Sequence, residues 1–271
     1  MSGEDVRPKE PIPPSRIAVV IPCFNERAVI DLTLERLRDW FPSALLVVVD
    51  DGSADGTWER ATQVAEGDAR VQVVRQASNG GKGRAVAAAL PYVTNHAVVI
   101  ADADLAYERE SMQRAIDALA CADVAIGNRR HPTSTYVVTV RLFGFLYRRH
   151  VVGRLFNLLV RLTLGITWPD TQCGLKAFRA PAFTAIMPRL RTSGFAFDLD
   201  VLLLAEGLGL RVGDVPVDVT MSSGRSSVRL ARDGGAAIVE VLKLALRRLS
   251  GGYSPERLRT APPADSRTSP D

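Results

Sequence analysis

Residues 44–57 read ALLVVVDDGSADGT, and this stretch decides the fold class. Its first half is an unbroken apolar run, which is typical of a strand buried on both faces of a parallel sheet. Its second half places two adjacent carboxylates and two glycines directly after the strand, followed by a helix that Asp55 can cap. A buried strand, a polar turn and a helix in this order form the repeating unit of an α/β protein.

The same unit recurs on both sides of this stretch. Helical patterns over about 26–40, 82–93 and 108–120 separate four further apolar runs: IAVVIP (17–22), VQVV (71–74), HAVVIAD (96–102) and DVAIG (123–127). This alternation predicts an α/β fold with an open, doubly wound and mostly parallel sheet. Ligands of such sheets bind beyond the carboxyl ends of the strands, so we expect the chemistry just after residues 22, 50, 75 and 101.

After residue 128 the pattern becomes mainly helical. It predicts helices over 137–165 (broken near Gly153), 197–208 and about 235–249, with short strands at 171–178 and 210–217. We therefore predict one domain over 16–249. Its first half, 16–128, carries the strand-end loops, and its second half, 129–249, carries amphipathic helices. The Pro-rich segment 1–15 and the Ser/Pro/Arg-rich segment 250–271 are predicted to be disordered.

The composition favours a globular protein in a reducing compartment. Hydrophobic residues make up 46% of the 271 residues and charged residues 24%. Cys23, Cys121 and Cys173 show neither a metal-ligand spacing nor a disulfide framework, which favours the cytosol. We expect neither a secretory signal nor a membrane span, because no stretch of about 18 apolar residues free of charge occurs.

The charge is unevenly distributed. Residues 124–169 contain no Asp or Glu but carry seven arginines among many Leu, Val and Phe residues. This pattern predicts a surface for anionic lipid or phosphate, although a solvated helix face would give the same pattern. Nucleic acid is disfavoured because few aromatic residues are interspersed among the arginines.

Two of the predicted strand ends carry residues suited to a nucleotide. Pro22-Cys23-Phe24-Asn25-Glu26 follows the first strand, and Asp50-Asp51 follows the second. Carboxylates accept hydrogen bonds only, so Asp51 suits the N–H of a base or ribose hydroxyls. A strand end with a helix cap and an ordinary turn are the simpler alternatives.

The other two strand ends suit a diphosphate and its cation. Asn79-Gly80-Gly81-Lys82-Gly83 allows close backbone approach and places Lys82 at a helix start, where an anion can bind. It is not a Walker A loop, because Gln76 and Gly83 stand where a glycine and a Ser or Thr are required. Asp102-Ala103-Asp104 offers two hard carboxylate ligands that suit Mg²⁺ or Mn²⁺.

In this order, PCFNE, DDGSADGT, NGGKGRA and DADL resemble the family 2 glycosyltransferases of GT-A fold, over about residues 16–220. The segments DTQCGLKAF (170–178), FDLD (197–200) and VPVD (215–218) resemble the polyprenyl-phosphate sugar synthases, and DTQCG resembles the dolichyl-phosphate β-glucosyltransferases. The resemblance implies transfer of a hexose, glucose from UDP-glucose, to an isoprenoid phosphate.

The resemblance also implies roles for individual residues. Asp104 and Asp198 are expected to be catalytic, Asp102 and Asp104 to hold the metal, and Arg129 and Arg148 to bind the acceptor phosphate. The residues expected to bind the nucleotide-sugar are Pro22, Asn25, Glu26, Asp51, Lys82, Asp102, Ala103, Asp104 and Gln172. Ala106 departs from the pattern, because related mannose enzymes have a metal-contacting glutamine there.

A phosphate acceptor explains why bases are scarce, with only three histidines in the chain. A phosphate monoester is already an anionic nucleophile near neutral pH, because its second pKa is about 6. The predicted partners are a nucleotide diphosphate-sugar, a polyprenyl phosphate and the anionic cytoplasmic face of the membrane, to which the enzyme binds peripherally.

Three alternatives remain at this stage. One is mannosyl transfer from GDP-mannose to polyprenyl phosphate. Another is a soluble acceptor, with Asp198 or Asp200 as general base. The third is a non-enzymatic module that binds nucleotide-sugars and tethers partners to the membrane.

Overall fold

The structure is a computed structural model that describes residues 9–138, 156, 158–194, 196–221 and 230–260. The strands in these ranges are β1 (Ile17–Cys23), β2 (Leu45–Asp50), β3 (Val71–Arg75), β4 (Ala97–Ile100), β5 (Val124–Asn128), β6 (Thr135–Val138), β7 (Lys176–Phe178), β8 (Val212–Pro216) and β9 (Asp218–Met221). The helices are α1 (Ile30–Trp40), α2 (Thr57–Ala65), α3 (Lys82–Ala88), α4 (Leu90–Val93), α5 (Arg109–Ala118), α6 (158–164), α7 (Ala180–Ile186), α8 (Phe197–Gly207), α9 (Leu230–Leu249) and α10 (Pro255–Thr260).

Seven strands form one sheet in the order β3-β2-β1-β4-β7-β5-β8. All neighbours are parallel except β7, which runs antiparallel to both β4 and β5. Cys23 pairs with Asp50 and Asp50 with Arg75, so β1, β2 and β3 end level with one another. The prediction of a mostly parallel α/β sheet is therefore confirmed, and the loops after these strands share one edge.

Helices cover both faces of this sheet, as a doubly wound fold requires. Alternate residues of β1 point into different clusters, with Val20 in one and Val19 and Ile21 in the other. The first cluster includes buried residues of α3, α6, α7, α8 and α9, and the second includes those of α1 and α5. Because both faces are covered, the central strands are continuous apolar runs.

The predicted helix over 137–165 is wrong at its start. Residues 135–138 form β6, which pairs in parallel with β9 in a separate two-stranded sheet. The sequence there is TYVV, whose aromatic and β-branched side chains favour a strand. Residues 158–164 are helical, as predicted, whereas the predicted break at Gly153 lies outside the described residues.

The prediction that 250–271 is a disordered tail is wrong for residues 250–260. Tyr253 and Leu258 are buried in the core cluster beside α8, and α10 follows at Pro255–Thr260. The approach is close, since a Cβ at Gly207 would lie 2.2 Å from the Tyr253 carbonyl oxygen. Two apolar anchors in a polar segment are enough to hold it to the domain, and such isolated anchors give no periodic signal.

Helix α9 has a buried side and an exposed apolar side. Val241, Leu244 and Ala245 are buried in the core. The opposite side presents an apolar stripe, which we define as Ile238, Val239, Leu242, Leu246 and Leu249. Within the described helices, none combines the length and the apolarity needed to cross a bilayer.

We predict that residues 250–260 stabilise the domain. Leu258→Ala should lower the free energy of unfolding by about 2–4 kcal/mol, the usual cost of deleting a buried leucine side chain. A chain ended after Leu249 should unfold at a lower denaturant concentration than the full chain, whereas a chain ended after Thr260 should match it. Equal midpoints for all three chains in urea would show that this segment does not contribute to stability.

Candidate active site

The loops that follow β1, β2 and β4 meet the start of α3 at one edge of the sheet. The contact is direct. Asn25 donates its backbone N–H to Ser53 Oγ at 2.8 Å, and Glu26 donates its own to Thr57 Oγ1 at 2.9 Å. Asn25 has a left-handed backbone conformation (φ 57°), which asparagine adopts more readily than most residues. Its side-chain oxygen accepts the Ala54 N–H at 3.1 Å, so Asn25 joins two of the loops.

Asp51 fixes the loop before α3. Its Oδ1 accepts the Gly80 N–H at 2.9 Å and its Oδ2 accepts the Gly81 N–H at 2.7 Å. Burial raises the pKa of Asp51, against the two backbone hydrogen bonds that favour its charged form. The arrangement assigns Asp51 a positioning role in the ligand-free protein. Its predicted contact with a nucleoside stays a prediction, as does that of Pro22, which lies within β1 opposite Val49.

Asp102 and Asp104 lie beyond the end of β4, where the sequence predicts them. Lys82 Nζ donates to Asp102 Oδ1 at 2.5 Å, and Asp104 Oδ1 accepts the Ala106 N–H at 3.2 Å. Between them, the carbonyl of Ala103 accepts a hydrogen bond from Thr33 Oγ1 at 2.5 Å. The backbone of Ala103 is thereby held, and the two carboxylates flank it.

The electrostatics of these carboxylates differ. Burial, and then the charge of Asp102, raise the pKa of Asp104. Burial also raises the pKa of Glu26, with further contributions from Asp104, Asp55 and Asp102. For Asp102 the effect of burial is outweighed by the charge of Lys82, and its pKa falls. Among the described residues, the negative charges of Glu26 and Asp104 are therefore only partly compensated.

Lys82 is held as a cation. Burial alone would lower its pKa, but the charges of Asp102 and Asp198 outweigh burial and raise it. Asp198 stands at the first turn of α8 and accepts a hydrogen bond from the buried Lys176 Nζ at 2.6 Å. Lys82, Asp102 and Asp198 thus belong to one charged cluster formed by both halves of the chain.

The loop before β7 packs against this charged cluster. A Cβ at Gly174 would lie 2.2 Å from Asp102 Oδ2, so any side chain there would displace the carboxylate. Tyr107 Oη accepts the Gly174 N–H at 3.1 Å and lies 3.3 Å from Cys173 Sγ. Gln172, which precedes Cys173 in this loop, has a buried Nε2 with no hydrogen-bond partner among the described residues. Such a group is unusual and indicates a polar partner that the described residues do not supply.

Arg129 is bound to protein rather than free for an acceptor phosphate. Its Nε donates to Asp170 Oδ2 at 2.7 Å, and its Nη2 donates to Asp170 Oδ1 at 2.9 Å and to the Gln172 carbonyl at 2.9 Å. This arginine holds the loop that carries Gln172 and Gly174, and its expected contact with an acceptor phosphate stays a prediction. Arg148, the other expected acceptor ligand, lies outside the described residues.

Asp200 is not available as a general base. Its side chain is 0% exposed, and it accepts hydrogen bonds from Tyr253 Oη at 2.6 Å and from the backbone N–H groups of Arg191 and Thr192 at 2.6 and 3.1 Å. This aspartate anchors the loop before α8. Of the two candidate bases for a soluble acceptor, only Asp198 faces the cluster.

A cavity of about 430 Å³ opens at the carboxyl ends of β2 and β3. It is lined by Gly52, Ser53, Arg75, Gln76 and Ala77. A second cavity, of about 510 Å³, lies at the opposite end of the strands beside Trp40 and Ile17. Of these two cavities, the first lies at the carboxyl edge of the sheet, and sequence reasoning missed Arg75 and Gln76 in its lining because neither belongs to a recognisable motif.

Asp102 and Asp104 are the two carboxylates through which this site could bind a divalent cation. In the described parts of the chain, no three His, Cys, Asp or Glu side chains are close enough to hold an ion by themselves. Asp102 and Asp104 could still bind one whose remaining ligands come from phosphate and water, which is the usual arrangement for Mg²⁺. The only partly compensated charge of Asp104 fits that arrangement.

Comparison with known sequences identifies the family. Residues 18–186 match the family described as Glycosyl transferase family 2, and the chain belongs to it. It is 30% identical over 235 residues to an undecaprenyl-phosphate mannosyltransferase of Micrococcus luteus, covering 85% of this chain and 94% of the relative.

Two further relatives are named for different sugars, one for mannose and one for glucose. The chain is 33% identical over 225 residues to a polyprenol monophosphomannose synthase of Mycolicibacterium smegmatis, covering 81% of this chain and 82% of the relative. It is 27% identical over 248 residues to a dolichyl-phosphate beta-glucosyltransferase of Saccharomyces cerevisiae, covering 80% and 72%.

Solved structures confirm the GT-A fold. A glucosyl-3-phosphoglycerate synthase from Mycobacterium tuberculosis superposes with a TM-score of 0.60 at 20% identity, covering 86% of this chain and 80% of the other. A mannosyltransferase from Pyrobaculum calidifontis, solved with GDP-Man and Mn²⁺, gives a TM-score of 0.56 at 22% identity, covering 90% and 67%. At these identities the likeness shows the fold alone.

We predict that the Arg129–Asp170 pair stabilises the fold. Asp170→Asn should lower the free energy of unfolding at pH 7 by about 3 kcal/mol, because it leaves a largely buried guanidinium without its counter-charge. The neighbouring arginine holds the pKa of Asp170 below its usual value although burial opposes this. The contribution is therefore complete above the unfolded-state pKa of Asp170 and is lost as the pH falls through the folded-state pKa.

The matched control is Asp31→Asn, which removes a carboxylate paired with Arg60 at the surface, where the two side chains are 41% and 42% exposed. That change should cost less than about 1 kcal/mol. Urea unfolding at pH 7 and at acid pH measures both variants. If Asp170→Asn were as stable as the wild type at pH 7, the pair would not hold this loop.

Proposed function

We propose that this chain transfers a hexose from a nucleotide diphosphate-sugar to a polyprenyl phosphate. One observation carries the proposal: Asp102, Asp104 and Lys82 converge at the carboxyl edge of the sheet in a family 2 glycosyltransferase. Polyprenyl or dolichyl phosphate is proposed as the acceptor because the relatives from Micrococcus luteus and Saccharomyces cerevisiae are named for such acceptors.

Each charged group of the cluster would have a distinct task. Lys82 would neutralise the diphosphate, and Asn25, Glu26 and Asp51 would border the nucleoside. Asp198 and Gln172 would face the sugar and the acceptor. This division follows the geometry, since Lys82 already occupies a site lined by carboxylates and its Nζ is free to exchange Asp102 for a phosphate oxygen.

Asp102 and Asp104 would hold Mg²⁺ or Mn²⁺. When bound, such an ion neutralises the charge that develops on a departing diphosphate. The protein's own residues orient the reactants. An acceptor phosphate oxygen forms a bond to the anomeric carbon as the bond from that carbon to the diphosphate breaks, and the nucleoside diphosphate leaves with the electron pair. One such displacement inverts the anomeric centre and needs no general base.

We propose glucose from UDP-glucose as the transferred sugar, because residues 170–174 read DTQCG and the Saccharomyces cerevisiae relative is a glucosyltransferase. Mannose from GDP-mannose is the second candidate. The higher identities to the two mannosyltransferases, 30% and 33%, favour it.

A turnover assay tests the function and the sugar together. Purified chain is incubated with Mg²⁺, polyprenyl phosphate and either UDP-[¹⁴C]glucose or GDP-[¹⁴C]mannose, and label is counted in the organic phase. We expect label from UDP-glucose. If label appeared only from GDP-mannose, the transferred sugar would be mannose and the proposed acceptor would be unaffected. Transfer only to soluble acceptors would contradict polyprenyl phosphate as the acceptor. Binding of the nucleotide-sugar without any transfer would indicate a tethering module.

We predict that Asp104→Asn reduces transfer by at least about 100-fold, because a ligand of the ion that stabilises the leaving group loses its charge. EDTA should inhibit the wild type, and added Mn²⁺ or Mg²⁺ should restore it. Asp117→Asn, an exposed change on α5, is the control and should keep full activity. Full activity of the wild type in chelator would exclude the metal.

We also propose that the enzyme binds the membrane through the apolar stripe on α9. Leu246 and Leu249 are 68% and 83% exposed, and α6 adds exposed Leu158 and Leu162. Arg161 and Lys243 are exposed beside them. Burial of apolar surface contributes about 25 cal/mol per Å², and each basic residue near an anionic surface about 1 kcal/mol.

The structure changes which basic residues can take part. Arg248 donates to Glu206 at 3.0 and 3.1 Å, and Arg247 lies 4.5 Å from the Tyr253 ring and 3.6 Å from Asp200. Both arginines are therefore engaged by protein groups, and the proposal does not depend on them. Arg148, Arg149 and Arg154 lie outside the described residues, and their part in membrane binding stays a prediction.

We predict that the protein sediments with anionic liposomes at low salt and is largely released at 1 M salt, where screening shortens to about 3 Å. Changing Leu242, Leu246 and Leu249 to Ser should reduce sedimentation at low salt about tenfold, because each loses apolar burial. Leu32→Ser, at an exposed position on α1, is the control. Normal sedimentation of the triple variant would exclude the stripe as the docking surface.

A further inference from the structure

Glu240 of helix α9 contacts the segment before α8 that packs against the Lys82 loop. Its Oε2 accepts the backbone N–H of Ala196 at 2.8 Å. Its Oε1 would lie 2.7 Å from a Cβ at Gly194, so a side chain at this position would shift the carboxylate. One side chain of α9 therefore grips the end of the loop that precedes α8.

That loop in turn holds the backbone around Lys82. Ser193 accepts the Gly83 N–H at 2.9 Å, and a Cβ at Gly81 would lie 2.4 Å from the Ser193 carbonyl oxygen. A Cβ at Gly83 would lie 2.8 Å from both Phe197 and the Thr192 carbonyl oxygen. The glycines on both sides of Lys82 are thus in van der Waals contact with the loop, which leaves little freedom to move independently.

The other side of the Lys82 loop is already fixed, because Asp51 accepts the N–H groups of Gly80 and Gly81. The loop is therefore clamped between β2 and the segment before α8. Asp200 supports the start of that segment at Arg191 and Thr192, and Glu240 supports its end. Glu240 is the support that α9 contributes directly to this segment.

We propose that Glu240 is a positioning residue that sets Lys82 for the diphosphate of the donor. The inference rests on the proposed function, because it assigns Lys82 to the phosphates. It goes further in giving α9 a part in donor binding. Removing the Glu240 carboxylate frees the Ala196 end of the loop, loosens Ser193 against Gly83 and lets Lys82 Nζ leave its place.

Nucleotide affinity separates positioning from simple stability. Glu240→Ala should weaken binding of UDP (or of GDP, whichever the wild type prefers) about tenfold. Binding of the corresponding monophosphate should change less than about twofold, because Lys82 is assigned to the diphosphate. Glu240→Gln should restore most of the affinity, since its amide oxygen can still accept the Ala196 N–H.

A double-mutant cycle tests the route through Lys82. In a Lys82→Ala background, Glu240→Ala should cause no further loss of diphosphate affinity. Glu206→Ala is the matched control, because Glu206 also joins α8 to α9, through Arg248, but touches neither loop. Additive losses in the cycle, or equal losses for diphosphate and monophosphate, would overturn the proposal.

Amide hydrogen exchange supplies a readout that needs no ligand. Glu240→Ala should speed exchange of the Gly83 amide about tenfold relative to wild type, whereas Glu206→Ala should leave it unchanged. Unchanged exchange in Glu240→Ala would overturn the inference. If the wild type bound neither UDP nor GDP, the proposed function would fail while the exchange result would still decide whether Glu240 holds the Lys82 loop.

Discussion

The ion pair between Lys82 and Asp102, both from the first half of the chain, is the point against which the second half packs. Lys82 comes from the loop that Asp51 and Ser193 clamp, and Asp102 comes from the end of β4. Gly174, from the second half, packs against the same carboxylate. Three loops can approach one pair of charges this closely because glycines stand at the contact points, where a Cβ would collide with backbone or carboxylate.

The charge of the site explains its function better than its shape does. Lys82 compensates Asp102, but Glu26 and Asp104 remain as carboxylates whose pKa values are raised by burial and by neighbouring carboxylates. A protein retains such a cluster at a cost in stability, and clusters of this kind concentrate at functional sites. A divalent cation and a diphosphate together complement it, since the cation offsets the carboxylates and Lys82 offsets the phosphates.

The sequence was sufficient for the first half of the fold and for the position of the site. Buried strands such as β2 are continuous apolar runs, and parallel strands bring their carboxyl ends to one edge, so Asp51, Lys82, Asp102 and Asp104 could be placed together in advance. What could not be predicted depends on partners distant in the chain. Arg129 pairs with a residue 41 positions away, and Asp200 with one 53 positions away.

The antiparallel place of β7 in the sheet and the buried segment around Tyr253 were beyond prediction for a related reason, although the sequence did predict a short strand over 171–178. Both segments are too short to show a period, and each owes its place to the sheet or the helix it packs against. The same limit applies to Glu240. Its position on α9 shows in the sequence only as one acidic residue in an amphipathic helix, and its contact with Ala196 depends on how α9 crosses α8.

A crystal structure with UDP and Mn²⁺ would test the central claim most directly, namely that the carboxyl edge around Lys82 and Asp104 is the donor site. The account predicts an anomalous Mn²⁺ peak about 2.2 Å from oxygens of Asp102 or Asp104 and of the diphosphate. It also predicts that Lys82 Nζ has moved from Asp102 to a phosphate oxygen. A nucleotide bound at the opposite end of the strands, in the cavity beside Trp40, with Lys82 still paired to Asp102, would contradict it.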